Sequence, residues 1–286
     1  MTIWGGSWVS AKAIADTLPP ETLTFWRFLI TFLSLFPVLF FLKEPAHPRT
    51  KSFGVRVKLN RHGLAYTILG SIFMGLYLYV FFKGLIYGFA GAAGVLVTTM
   101  IPIITFVLSI FFFRRKMSAR DFLGLTLGVI GGGILLQVWT LDLNKIFMHG
   151  NVYFLLGAVL WALLTICSQK AGDSVSPLFF NLFTSGFCAL LFFFICLSHG
   201  ALSIAGKNQI FWFNMIYLSV ISSGLATTIY FFASSRLGSH KASSFVFLVP
   251  SSAVIFSWLF LGEQPRVLTI AGGLVAAAAV YLINMK

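Results

Sequence analysis

The stretch from residue 150 to residue 197 reads GNVYFLLGAVLWALLTICSQKAGDSVSPLFFNLFTSGFCALLFFFICL. It consists of two long apolar runs joined by a short polar segment, and its charged residues, Lys170 and Asp173, both lie at that joint. A helix needs about 20 mainly apolar residues to cross a bilayer, because the hydrocarbon core is about 30 Å thick. The stretch therefore predicts two transmembrane helices, near 150–169 and 177–197.

The same pattern continues along the whole chain of 286 residues, of which 58% are hydrophobic and 9% charged. A soluble domain has about 25% charged residues, so the predicted fold class is an all-α polytopic membrane protein with about ten transmembrane helices. The first helix is shorter than a full span, which predicts either an incomplete helix or a native start upstream of Met1. The predicted ranges are 1–15, 22–42, 62–84, 90–113, 120–139, 150–169, 177–197, 210–232, 242–261 and 265–285.

The basic residues predict an orientation. The formal net charge of +13 would favour nucleic-acid binding in a soluble protein, but here the Lys and Arg residues lie almost wholly at the ends of apolar runs. Cytoplasmic loops of membrane proteins are enriched in Lys and Arg. With the N-terminus inside, 14 of the 20 basic residues lie on the cytoplasmic side. We therefore expect a multi-pass protein of the bacterial inner (plasma) membrane with both termini cytoplasmic, in contact with the lipid bilayer and not with nucleic acid.

Residues recur in the same order in the two halves of the chain. Trp4 and Pro20 are 16 positions apart, as are Trp161 and Pro177. A second spacing recurs in the same way, from Pro102 to Gly124 and from Pro250 to Gly272. A unit of five helices ends on the opposite side of the membrane from its start, so a second copy must be inverted. We predict two inverted five-helix repeats, residues 1–139 and 150–285, an arrangement typical of secondary transporters.

Four short stretches carry a resemblance to a known family. They are Ile3-Trp4-Gly5-Gly6-Ser7-Trp8, Pro19-Pro20 with Phe25-Trp26-Arg27-Phe28, the prolines Pro102 and Pro250, and Leu261-Gly262-Glu263-Gln264. On these residues the chain resembles the drug/metabolite transporter superfamily, and within it the EamA-type ten-helix carriers. The resemblance implies a carrier for amino acids or related metabolites, often in the export direction. The chain departs from the family pattern at its short first helix and at Arg115, the repeat partner of Glu263.

The acidic residues bear on the coupling of transport. All seven are predicted in loops or at helix ends, whereas proton relays use carboxylates inside the membrane. The five histidines are predicted in similar places, so we favour facilitated diffusion or exchange over proton coupling. The three cysteines have no metal-type spacing, and no catalytic motif is present. We expect no catalytic residue, no metal, no cofactor and no enzymatic activity.

Substrate binding is predicted to use hydroxyl groups, aromatic rings and helix ends. Trp4 and Trp161 occupy repeat-related positions, and Ser223, Thr227 and Tyr230 share one face of the eighth helix because residues three or four apart are neighbours on a helix. The alternative for each of them is ordinary helix packing. The predicted substrate-binding set is Trp4, Ser7, Trp8, Tyr77, Tyr79, Thr98, Thr99, Trp161, Thr165, Ser223, Thr227 and Tyr230.

Two further groups complete the predicted site. Lys12, Arg27 and Lys83 are placed at the outer ends of the first three helices, where they either snorkel to lipid headgroups or form an electropositive vestibule for a carboxylate or phosphate. Pro102 and Pro250 are predicted helix kinks that free backbone groups near the midplane for substrate, with a simple packing kink as the alternative.

The predicted function is secondary transport of a small polar or zwitterionic metabolite, such as an amino acid, by alternating access. One alternative is uptake of a nucleotide-like metabolite such as S-adenosylmethionine. Another is a channel or a non-transporting membrane subunit. The expected partners are a small-molecule substrate and lipid, with the chain acting as a monomer or homodimer.

Overall fold

The computed structural model describes residues 1–41, 60–87, 90–135, 137–140, 150, 152–261 and 267–285. Within these ranges the protein contains ten main helices and no strand, so the predicted all-α fold with about ten helices is confirmed. The features predicted at Glu263 and in the basic segment 43–59 lie outside the described residues.

The main helices are numbered α1 to α10 in chain order. The first eight and the last are α1 Thr2–Ala15, α2 Pro20–Leu35, α3 Arg61–Tyr87, α4 Ala90–Phe113, α5 Ala119–Leu135, α6 Val152–Ala171, α7 Pro177–Ser198, α8 Gln209–Leu237 and α10 Val267–Asn284. Helix α9 has three consecutive parts: the helix Ser239–Ser244, the 3₁₀ turn Phe245–Leu248 and the helix Val249–Leu261. Two short elements, Val38–Phe41 and Val138–Thr140, follow α2 and α5.

Six helices in the described part of the chain are long and apolar enough to cross a membrane, judged by length and composition. They are Arg61–Tyr87, Leu96–Phe113, Val152–Ala171, Pro177–Ser198, Gln209–Leu237 and Val267–Asn284. These six helices make the protein a polytopic membrane protein.

Local sequence signals mark several helix ends. Pro20 and Pro177 open α2 and α7 at the first helical position, where the missing N–H of proline costs no hydrogen bond. The Asn208 side chain caps α8 by accepting a hydrogen bond of 2.9 Å from the backbone N–H of Phe211. Gly238 has a φ of +90°, a conformation that glycine adopts readily, and it separates α8 from α9.

The helices pack in pairs that link the two halves of the chain. Helix α2 packs on α7, and α5 packs on α10. Helix α6 contacts α3 and α4, just as α1 contacts α8 and α9. Exchanging α1–α5 with α6–α10 therefore maps these pairs onto one another. The α5–α10 contact is very close, because a Cβ added to Gly272 would lie 2.5 Å from the backbone nitrogen of Leu135.

Some predicted boundaries are wrong. Helix α2 begins at Pro20 and ends at Leu35 instead of spanning 22–42. Helix α8 continues to Leu237, beyond the predicted end at 232, and ends where Gly238 adopts a positive φ. Within this extension Ser234 donates its hydroxyl to the backbone oxygen of Thr165 at 3.1 Å. Helix α8 also contains a π-helical segment, Tyr217–Ala226, which hydropathy does not reveal.

Candidate substrate site

A small cavity lies where seven helices meet. Its volume is about 60 Å³, and since about 10–15 Å³ holds one water molecule, the cavity in this conformation has room for a few. Helices α1, α2, α3 and α4 contribute side chains from the first half, and α6, α8 and α9 from the second. The lining residues are Trp4, Ser7, Trp8, Arg27, Met74, Tyr77, Leu78, Phe81, Val97, Thr98, Ile101, Trp161, Ser222, Ser223, Thr227, Val246 and Val249.

Five aromatic side chains form a continuous wall of the cavity, and Trp4, Trp8, Tyr77, Phe81 and Trp161 are called the aromatic wall below. The Trp8 ring centroid lies 5.2 Å from that of Phe81, which lies 5.9 Å from Tyr77. Tyr77 lies 4.7 Å from Trp161, and Trp161 lies 5.2 Å from Trp4. These separations are typical of favourable aromatic pairs, so the wall is a packed unit that joins α1, α3 and α6.

A hydrogen-bonded pair supports this wall from behind. Thr165 donates its hydroxyl to the backbone oxygen of Trp161 at 2.7 Å, so the 2.9 Å contact with Tyr230 is a hydrogen bond donated by the Tyr230 hydroxyl. The Tyr230 ring contacts both Trp4 and Trp161. Thr165 and Tyr230, predicted to contact substrate, therefore lie one layer behind the cavity lining.

Arg27 is the charged residue of the lining. Its side chain is 7% exposed, and its Nε donates a hydrogen bond of 2.9 Å to the hydroxyl of Ser223 on α8. The predicted position of Arg27 at an outer helix end is wrong, because α2 begins at Pro20 and so Arg27 lies two turns inside the helix. The structure thus separates Arg27 from the two lysines with which it was grouped.

Lys12 and Lys83 do lie near helix ends and outside the cavity. Lys12 donates to the backbone oxygen of Leu85 at 2.8 Å and forms an exposed ion pair with Asp16 at 3.4 Å. Lys83 lies 4.8 Å above the Tyr79 ring. Both lysines are thus held at the same end of α1 and α3, and their predicted role as a vestibule stays a prediction.

The π-helical segment of α8 supplies the polar side of the cavity. Thr31 of α2 donates to the backbone oxygen of Ser219 at 2.9 Å, and Asn181 of α7 donates to that of Ser223 at 2.8 Å. These two hydrogen bonds satisfy backbone oxygens inside the π-helical segment. A π-helix has a wider turn than an α-helix and is frequent at functional sites. The hydroxyl-bearing residues Ser222, Ser223 and Thr227 consequently line one cavity together.

The two prolines lie directly beside the cavity lining. Pro102 is inside α4, next to Ile101, and has no N–H to donate to the preceding turn. Pro250 follows Val249, where α9 changes from a 3₁₀ turn to an α-helix. The backbone of α9 is therefore irregular where the prediction placed a kink, and a role of either proline in substrate binding stays a prediction.

Tyr79 and Thr99 lie on other faces of their helices. Each residue advances a helix by about 100°, so Tyr79 points away when Tyr77 lines the cavity. The Tyr79 ring packs 5.9 Å from Phe192 of α7. Thr99 is beside α5, with its methyl carbon 3.5 Å from the position of a Cβ built on Gly132. The structure places neither residue in the lining.

The cavity offers recognition groups of limited chemical variety: aromatic faces, hydroxyls and one guanidinium. No carboxylate is among the lining residues that the structure describes. In the part of the chain that the structure describes, no cluster of three His, Cys, Asp or Glu side chains could hold a metal ion. The arrangement is suited to binding a small molecule by stacking, hydrogen bonds and charge.

The sequence model of the EamA-like transporter family matches residues 1–137 and residues 148–285. The chain belongs to this family. A solved structure that is 14% identical shares the fold of this EamA-like transporter, with a TM-score of 0.73 and coverage of 98% of this chain and 92% of the other.

Curated relatives span nearly the whole of this EamA-like transporter. An uncharacterized transporter, YoaV, of Bacillus subtilis is 26% identical, with 98% of this chain and 92% of the relative covered. An uncharacterized transporter of Archaeoglobus fulgidus is 25% identical, covering 100% and 95%. A probable amino-acid metabolite efflux pump of Salmonella typhimurium is 23% identical, covering 99% and 91%.

Sequence reasoning missed several lining residues of this EamA-like transporter. Met74, Leu78 and Phe81 share the face of α3 that carries Tyr77, so the helical period predicts them once Tyr77 is assigned. Ser222 and the pairing of Arg27 with Ser223 depend on the π-helical segment and on the contact between α2 and α8, for which the sequence gives no direct signal. The other missed residues are Val97, Ile101, Val246 and Val249.

Proposed function

We propose that this EamA-like transporter is a secondary carrier that moves a small polar or zwitterionic metabolite, such as an amino acid, by alternating access. The observation that carries the proposal is the convergence of seven helices, from both halves of the chain, on one cavity lined by aromatic rings, hydroxyls and a guanidinium. A site shared between repeats is where secondary transporters bind substrate. The relative named as an amino-acid metabolite efflux pump supports amino acids as the first class to test.

The proposal includes two inverted five-helix repeats, residues 1–139 and 150–285. The helix pairs are consistent with it, since α2–α7 and α5–α10 map onto themselves when the halves are exchanged. When two halves related in this way rock against each other, the cavity opens alternately to the two sides of the membrane. The excess of basic residues in alternate loops supports an inner-membrane position with both termini in the cytoplasm.

The coupling proposed is exchange or facilitated diffusion. The lining residues that the structure describes include no Asp, Glu or His, and a proton relay of the usual kind would need one of these inside the membrane. A carrier of this type works in either direction, and the gradient of its substrates determines the direction.

Counterflow in proteoliposomes tests the proposal. Vesicles containing the purified chain are preloaded with the unlabelled form of the compound tested, and uptake of each labelled L-amino acid and of labelled S-adenosylmethionine is followed at several concentrations. A carrier gives saturable uptake that preloading accelerates. A channel gives uptake that neither saturates nor responds to preloading, a non-transporting subunit gives none, and uptake confined to S-adenosylmethionine favours the nucleotide-like class.

A pair of tryptophan variants connects transport with the cavity. Trp4 is half-buried in the aromatic wall, whereas Trp139 is exposed in the short turn after α5. Trp4→Ala should lower the uptake rate about tenfold, since it removes one ring of the wall, and Trp139→Ala should leave it unchanged. Equal uptake by the two variants would show that substrate binds elsewhere.

A further inference from the structure

The charge of Arg27 has no carboxylate partner in the described part of the chain. The acidic side chains of the observed ion pairs all lie elsewhere: Asp16 with Lys12, Asp121 with Arg115 and Glu21 with His199. Arg27 is bonded instead to a neutral hydroxyl, that of Ser223. A charged group inside a membrane protein is costly unless it is paired or faces a water-filled cavity, so the placement of this arginine calls for a functional reason.

The geometry of the guanidinium leaves most of its donors for another group. An arginine has five N–H donors, and the bond to Ser223 uses the one on Nε. The four N–H groups on the two Nη atoms remain, and Arg27 lines the cavity. A carboxylate matches this fork because its two oxygens can accept two parallel hydrogen bonds.

The position of the guanidinium is fixed by neighbouring polar contacts. The Thr31 hydroxyl, one turn after Arg27, shares its single proton between the backbone oxygens of Arg27 and Ser219, at 2.7 and 2.9 Å. Asn181 holds the Ser223 backbone oxygen from the other side at 2.8 Å. The contacts between helices α2, α7 and α8 thereby determine the position of the Arg27 guanidinium. Thr31, Asn181 and Ser223 act as positioning residues.

The remainder of the lining suits the other end of an amino acid. An ammonium group finds no carboxylate among the described lining residues, but the faces of Trp and Tyr rings attract cations. The aromatic wall supplies Trp4, Trp8, Tyr77 and Trp161 within the same cavity as Arg27. A zwitterion could therefore place its carboxylate on the guanidinium and its ammonium against the rings.

We propose that Arg27 binds the carboxylate of the transported molecule and thereby restricts the substrate to carboxylate-bearing metabolites such as amino acids. This inference rests on the proposed function, because it assumes that the cavity is the transport site. Amines and amides that lack the carboxylate leave the guanidinium unpaired on binding, so the carrier discriminates against them.

The test compares Arg27→Gln and Arg27→Lys with a matched control, Arg236→Gln. Arg236 is exposed in the last turn of α8, where it lies against the Phe232 ring. The probes are the labelled L-amino acid with the highest wild-type uptake, or L-leucine if none is taken up, together with its amide and its decarboxylated amine. Uptake is measured in proteoliposomes, and binding is measured separately through the fluorescence of the cavity tryptophans.

The wild type should prefer the acid to the amide by about ten- to a hundredfold, the usual worth of a charge-assisted hydrogen bond. Arg27→Gln should abolish that preference by weakening binding of the acid while leaving binding of the amide unchanged. Arg27→Lys should keep part of the preference, since it retains the charge without the fork. Arg236→Gln should behave as wild type.

Two failures are distinguishable. If the wild type transports none of the amino acids, the proposed function fails, and absence of carboxylate binding in the fluorescence measurement then overturns the role of Arg27 as well. If the wild type transports amino acids but Arg27→Gln keeps the preference for the acid, the proposed function stands and the inference about Arg27 is wrong. Size-exclusion profiles of the variants check that each one is folded.

Discussion

Arg27 and Arg115 lie in two regions of the molecule and have different hydrogen-bond partners. In the turn between α4 and α5, Arg115 donates from Nη2 to both oxygens of Asp121 at 3.2 Å and contacts His240 through Nη1. Asp121 also accepts from the Ser118 hydroxyl at 2.7 Å. In the cavity, the hydrogen bond that the described residues give Arg27 goes to a serine hydroxyl.

The two arginines differ in the groups that the fold brings to each guanidinium. Around Arg115 the chain provides the carboxylate itself, and the resulting cluster fastens the start of α5 to the start of α9. Around Arg27 the described lining residues provide aromatic rings and hydroxyls but no carboxylate. An arginine that is paired with a carboxylate of the protein stabilises the fold. An arginine in a cavity without such a partner is available to a ligand.

The strongest way to break this comparison is to give Arg27 a carboxylate of its own. Ser223→Asp places one beside Nε, where it competes with substrate at a high effective concentration. We expect uptake of amino acids in proteoliposomes to fall by about a hundredfold, with the protein still folded. Ser223→Asn is the neutral control of similar size and should lose much less, and equal losses would mean that the change of shape is responsible.

Removing the existing carboxylate tests the other half of the comparison. Asp121→Asn leaves Arg115 without its ionic partner, and because the Asp121 side chain is 4% exposed, the free energy of unfolding should fall by about 2 kcal/mol. Thermal unfolding in a fixed detergent measures the loss. Asp173→Asn, at an exposed position between α6 and α7, should have no effect, and a similar result for both would show that Asp121 is not a structural anchor.

A third change sharpens the distinction between the cavity lining and the layer behind it. Tyr230→Phe removes the hydrogen bond to Thr165 and should lower the free energy of unfolding by about 1 kcal/mol, with a reduction of uptake smaller than that of Trp4→Ala. The exposed Tyr281 provides the control Tyr281→Phe. If Tyr230→Phe impaired uptake as strongly as Trp4→Ala, the hydroxyl would have to contact substrate directly.

The smallest expected effect is that of Arg27→Gln on stability. Because no carboxylate of the described residues pairs with Arg27, removal of the guanidinium should change the free energy of unfolding by less than about 1 kcal/mol in the absence of substrate. The same thermal unfolding measurement applies. A destabilisation as large as that of Asp121→Asn would make Arg27 a structural residue and remove the contrast between the two arginines.

Much of the candidate site was predictable, and the misses have physical causes. Trp4, Ser7, Trp8, Thr98 and Trp161 line the cavity as expected, since repeat positions and polar residues in apolar helices are visible in sequence. Tyr79 and Thr99 are close in sequence to Tyr77 and Thr98, which line the cavity. Because each residue advances a helix by about 100°, Tyr79 and Thr99 face away from the cavity. Substrate contact by any of these residues stays a prediction.

The position and partner of Arg27 are the features of the site that the sequence predicted least well. The predicted helix 22–42 places Arg27 near its outer end, where snorkelling to lipid headgroups is the alternative to a vestibule role. The actual partner, Ser223, is 196 positions away and is exposed to Arg27 by a π-helical turn. Hydropathy and spacing do not report that contact.

The sequence by itself determined that the chain is a helical membrane protein of this transporter family, because apolar run length, proline and glycine positions and short motifs act locally along the chain. The tertiary structure decided which faces of seven helices meet, which arginine receives a carboxylate and which is left to a cavity. Those features depend on contacts between residues far apart in the chain, and such contacts are fixed only when the helices pack.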